Sequence, residues 1–86
     1  MLRKTRVKSS VIAAVAYNPR TKVLEVEFHA GRTYDYLAVP RRIYESLLTA
    51  DSIGKYFNET IRPNYKAILV RDAQGYVGRS LLGGGK

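Results

Sequence analysis

The chain has 86 residues, 45% hydrophobic and 26% charged, enough for one domain around one modest core. No apolar run approaches the roughly 20 residues that span a bilayer, and with no cysteine there are neither disulfides nor thiolate metal sites. Fifteen Lys and Arg against seven Asp and Glu leave a formal net charge of +8, a balance that attracts nucleic acid or another anionic surface.

Residues 1–8 carry Arg3, Lys4, Arg6 and Lys8 and no acid, and read as a basic arm frayed at its start. They lack an apolar stretch ending in a small-residue cleavage site, which places the expected protein in the cytoplasm. Val11–Tyr17, β-branched and small apolar, predicts a strand. Asn18-Pro19-Arg20-Thr21 predicts a turn, with Asn suited to its first position and Pro presetting φ at its second.

Val23–His29 alternates Leu24, Val26 and Phe28 with Glu25, Glu27 and His29, the pattern of a strand with one buried and one wet face. Thr33–Val39 returns with Tyr34, Tyr36 and Ala38 on one face. Parity fixes this hairpin: putting Tyr34 and Tyr36 beside Val26 and Phe28 needs an odd loop. His29-Ala30-Gly31, with Gly31 at positive φ, provides it. For Val11–Tyr17 either face suits the interior.

Pro40 ends the third strand and suits the first turn of a helix. Arg41–Ala50 follows, with Ile43, Tyr44, Leu47 and Leu48 as its apolar stripe. Asp51-Ser52 recaps the chain for a second helix over Ile53–Ile61, with Phe57 on its inner face. Ala67–Val70 suits a further strand outside the central set, and the last residues run into three glycines. The expected fold is therefore α+β: a three-stranded antiparallel meander with two helices packed on one face, plus a C-terminal extension. The expected division is a 1–8 arm, a 9–65 domain and a 66–86 extension, partly flexible.

Several residues share an ordered pattern: Val7-Lys8-Ser9-Ser10 with Ile12, Tyr17 before the turn, then Leu24-x-Val26-x-Phe28. Gly31-Arg32-x-Tyr34-x-Tyr36 runs into Val39-Pro40, and Ala50-x-Ser52-x-Gly54-x-Tyr56-Phe57-Asn58, Ile61 and Tyr65 close the set. In this order, residues 7–65 resemble the KTSC family, the short domain named after the lysyl-tRNA synthetase C-terminus and found also in free-standing bacterial and phage proteins. The resemblance implies a small single domain for which RNA binding has been suggested. It says nothing of residues 66–86.

An enzyme needs a nucleophile, an acid–base group or a metal set. His29 is the sole histidine and cysteine is absent, which removes most triads and zinc sites; no catalytic residue, cofactor or metal is expected. Ser9 and Ser10 suit hydrogen bonding at a strand start. Glu25 falls opposite Asp35 and, with Glu27, forms an acidic stripe on the wet face. That stripe has too few oxygen ligands for a hard cation, and it repels phosphate from the sheet.

The cations must then act elsewhere. Arg41 and Arg42 sit in a helix's first turn, against the macrodipole, a local misfit that fits either a functional site or two exposed arginines whose stems cover apolar surface. Arg3, Lys4, Arg6 and Lys8 can track a backbone as an arm. Lys55, beside Tyr56, Phe57 and Asn58, has a composition suited to RNA, although Phe57 belongs in the core, and Arg62 and Lys66 follow the second helix. The expected function is non-enzymatic binding of RNA or other nucleic acid through these nine side chains, with little sequence specificity. The alternative is a protein-interaction or homo-oligomer module using Ala67–Val70 and Tyr76–Leu82. No membrane partner is expected.

Overall fold

The computed structural model describes residues 4–72 in full and Gly75–Tyr76 as backbone. Six antiparallel strands lie side by side in chain order: β1 (Thr5–Arg6), β2 (Ile12–Asn18), β3 (Val23–Phe28), β4 (Thr33–Tyr36), β5 (Ala67–Asp72) and β6 (Gly75–Tyr76). Between β4 and β5 come α1 (Arg41–Thr49), α2 (Ile53–Tyr56) and a π-helical turn at Phe57–Ile61 that continues α2. The α+β class, antiparallel sheet and two helices agree with the expectation, whereas the three-strand count does not. Part of the basic arm is edge strand β1, with Thr5 opposite Val15 and Arg6 opposite Ala14. The Ala67–Val70 run pairs with β4. The run shows no period of two, although only Val70 of it is buried.

The β3–β4 hairpin follows the parity argument. Leu24 faces Tyr36, Val26 faces Tyr34 and Glu25 faces Asp35. The loop is closed by hydrogen bonds from Phe28 N–H to Arg32 O and from Gly31 N–H to Phe28 O. Gly31 adopts φ 110°, a region a β-branched residue enters only with strain. Gly31→Val should therefore lower stability by at least about 1 kcal/mol, visible as a lower chemical-denaturation midpoint with an unchanged m-value.

In the first hairpin a bulge decides the face. Ile12 pairs with Phe28 and Ala14 with Glu27, so Ala13 is the extra residue and shifts the alternation by one. Ile12, Val15 and Tyr17 thereby join Leu24, Val26, Tyr36, Val39, Leu47, Phe57 and Ile61 in one core under the helices. Phe57 meets Phe28 and Tyr36 edge-on, with centroids 5.4 and 5.3 Å away. Pro40 is the N-cap of α1, not its first residue. Of the expected stripe Leu47 is buried, Ile43 and Tyr44 pack on the core, and Leu48 is exposed. Ser52 caps α2 by accepting from Lys55 N–H.

The face away from the helices departs most from expectation. Glu25 and Asp35 are 6% and 0% exposed, with Thr33 also buried. With β5 bonded outside β4, the strand that carries Asp35 is an interior strand, as β3 with Glu25 already is between β2 and β4. Both residues take part in further interactions. The wet acidic stripe is thus reduced to Glu27, which Lys4 engages at 3.0 Å.

Candidate nucleic-acid interface

The sheet has two ends, and the helices connect them. At one end Gly54 of α2 approaches the segment before β2: a Cβ built there would lie 3.6 Å from Ser9 Oγ and 3.8 Å from Val11 Cγ2. Ser9 Oγ accepts from the N–H groups of Val11 and Ile12 at 3.1 Å, which fixes the bend into β2 as the sequence suggested. At the other end Tyr17, Leu24, Tyr36 and Ala67 form one cross-strand row. Five residues of β2 separate the two ends, about 16 Å at 3.3 Å per residue.

The Tyr17 row is where the chain gathers cations. The guanidinium of Arg41, at the start of α1, acts electrostatically on Tyr17, and that of Arg62, just after the π-helical turn, acts on Tyr36. The linker Leu37–Pro40 crosses this end and is pinned on both sides. Leu37 N–H donates to Lys66 O, and Val39 N–H donates to Lys22 O, both at 2.9 Å. Lys22, Arg41, Arg42, Arg62 and Lys66 are all exposed and all belong to this end. Arg41 is 3.9 Å from Glu45, with both side chains about two-thirds exposed, a contact worth at most a few tenths of a kcal/mol. It leaves the arginine available.

The backbone at this end is unusual. Lys22 and Ala38 are non-glycine residues at positive φ, 60° and 58°, and the hydrogen bond from Val39 to Lys22 ties their segments together. Such conformations cost on the order of 1 kcal/mol each and persist where surrounding structure enforces them. Exposed Arg20 shares the β2–β3 turn with Lys22, and the sequence points to neither; Lys22 is the one tied to the linker. Its signal is tertiary: nothing in Asn18-Pro19-Arg20-Thr21-Lys22 reveals that its carbonyl will hold Val39.

The nine expected cations do not form one surface. Arg3 lies outside the described residues. Lys4 precedes edge strand β1 and Arg6 is its last residue, and Lys4 is engaged by Glu27. Lys8 and Lys55 adjoin the Ser9–Gly54 contact at the far end. Arg41, Arg42, Arg62 and Lys66 are the four brought together. Of the segments considered for protein contact, Ala67–Val70 pairs with β4, with Val70 buried and Ile68 still 37% exposed. Tyr76–Leu82 has no described side chains. Among the described residues no group of three His, Asp or Glu is placed to hold a metal ion, and no helix is long and apolar enough to cross a membrane.

Burial raises the Tyr17 and Tyr36 hydroxyl pKa values, against a lowering contribution from Arg41 and Arg62 respectively. Both phenols therefore stay protonated at neutral pH, and Tyr17 donates to Val39 O. Because the folded pKa exceeds the ordinary value of 10.0, the neutral phenol's contribution to stability is complete below pH 10. It is lost as pH rises through the folded value. Tyr36→Phe should make the alkaline fall in melting temperature above pH 10 shallower than in the parent.

Residues 8–65 match the KTSC domain family. The chain belongs to the KTSC family. An uncharacterized protein of Stutzerimonas stutzeri is 38% identical over 64 residues, covering 74% of this chain and 90% of its own. Lysine–tRNA ligase of Nostoc punctiforme is 37% identical over 59 residues, 69% of this chain but only 10% of the ligase. The crystal structure of a KTSC domain protein from Yersinia pestis superposes with a TM-score of 0.77 at 31% identity, covering 81% of this chain and 99% of that one. The KTSC match ends at Tyr65, one residue before Lys66 and before β5 completes the sheet, so Lys66 of the cation group lies outside it.

Proposed function

We propose that this KTSC protein is a non-enzymatic nucleic-acid-binding domain that holds phosphate through the basic end of its sheet, with little sequence specificity. The observation that carries this reading is that Arg41 and Arg62 act on the Tyr17–Tyr36 row, with the backbones of Lys22 and Lys66 bonded to the linker at the same end and exposed Arg42 following Arg41. Charge gathered by tertiary structure at one place, over a strained backbone, is better explained by a bound polyanion than by solubility, which is served equally well by dispersed charge. Lysine–tRNA ligases, which by name act on tRNA, carry a similar segment, and this supports RNA as the partner. Lysines and arginines that contact phosphate position the protein without reading bases, hence the low specificity. A mobility-shift titration with tRNA at two salt concentrations tests the reading. Affinity should fall steeply as salt rises, whereas a protein-interaction module with no nucleic-acid contact would give no shift at either concentration.

A further inference from the structure

We infer that the basic end grips base-paired nucleic acid across a groove, and not unpaired strands; this rests on the proposed function and specifies its ligand. Proteins that hold unpaired strands combine cations with open aromatic rings on which bases stack. At this end the rings are already used. Tyr17 is 8% exposed and stacks on Tyr44 with centroids 4.8 Å apart and planes 16° apart. Tyr36 is 5% exposed and is covered by the edge of Phe57. Tyr17 also spends its hydroxyl proton on Val39 O. The two rings of the row itself therefore offer no open face, and Tyr44 and Tyr65 beside it are only partly exposed.

The spacing of that charge fits two phosphate rows. Tyr17 and Tyr36, marking Arg41 and Arg62, stand two strands apart, about 10 Å at ordinary strand spacing. Lys22 lies in the β2–β3 turn, and Lys66 leads into β5. The array therefore extends over roughly three strand spacings, about 14 Å, comparable with the roughly 12 Å width of a B-form major groove, whereas paired RNA would have to be met across its wide, shallow minor groove. The backbones of Lys22 and Lys66 are held by hydrogen bonds from the linker, so the span is built into the fold. Anchor points held at fixed backbone positions suit the regular phosphate lattice of a duplex, with the lysine stems supplying the final adjustment.

The test compares three labelled probes of equal length at 0.1 M salt: a blunt duplex RNA, a duplex DNA of the same sequence, and one unpaired strand. Five bound phosphates, each adding about 0.2 to the salt exponent on a duplex over a single strand, predict roughly tenfold tighter duplex binding. K22Q/K66Q should weaken duplex binding more than unpaired-strand binding, because it shortens the array. Binding to both duplexes assigns recognition to phosphate geometry, and binding to the RNA duplex alone assigns it to the A-form with its 2′-hydroxyls. An unpaired strand bound as tightly as either duplex overturns the inference and leaves the proposed function intact. No binding to any probe overturns both.

Discussion

Phe57→Ala should destabilise the domain by about 4 kcal/mol, within the range for truncated buried aromatic rings. Phe57 is 1% exposed and is the ring through which the π-helical turn reaches the sheet, meeting Phe28 from β3 and Tyr36 from β4. Its removal leaves a cavity bounded by a backbone that cannot close over it, because Ser52 caps α2 on one side and Arg62 N–H donates to Phe57 O on the other. A destabilisation of this size is a large share of the roughly 5–15 kcal/mol that holds a small domain folded. Denaturant titration should show a much lower midpoint. Phe57→Leu, which retains most of the volume, should recover more than half of the stability. If Phe57→Ala melts like the parent while nucleic-acid binding disappears, Phe57 is a base-stacking residue and not the core anchor.

The second large effect concerns charge. Lys22, Arg41, Arg42, Arg62 and Lys66 are exposed, so replacing all five with glutamine should leave the fold intact, surface substitutions typically staying within about 0.5 kcal/mol each. Affinity for tRNA should drop at least a hundredfold at 0.1 M salt, since each phosphate left without its cation lowers the duplex salt exponent by about 0.9. Unrelated sequences should weaken alike. The control is Lys4, Arg6, Lys8 and Lys55 replaced in the same way, which removes four charges from other parts of the surface. Its effect should be far smaller, most clearly for Lys4, which Glu27 already neutralises.

The two hairpins show how far the sequence could be read. In Val23–Tyr36 an unbroken alternation and one glycine determine register, loop length and the inner face, and the structure agrees in each respect. In β2 the alternation of Val11–Tyr17 is broken by the bulge at Ala13, which no residue type announces, so both faces suited the interior. β5 has no alternation to read, so Ala67–Val70 suits a strand without a place in the sheet, and period-two alternation alone puts Glu25 and Asp35 on a wet face where the structure buries both. The candidate site was legible as a set of cations and not as a place. Arg41 and Arg42 were marked by their misfit at a helix start, but the path that returns Arg62 and Lys66 to the same end depends on the lengths of both helices. Lys22 joins them only through a carbonyl 17 residues before the N–H it accepts.

The most direct measurement is the salt dependence of tRNA affinity, parent beside the five-glutamine variant, by mobility shift or fluorescence anisotropy. For five phosphate contacts on paired regions the parent's log affinity should fall against log salt with a slope near −4.5, a weakening of roughly 500-fold between 50 and 200 mM. The variant should be weak and nearly salt-independent. A parent that binds no tRNA at 50 mM salt, or a folded variant that keeps the parent's affinity and slope, would contradict the account.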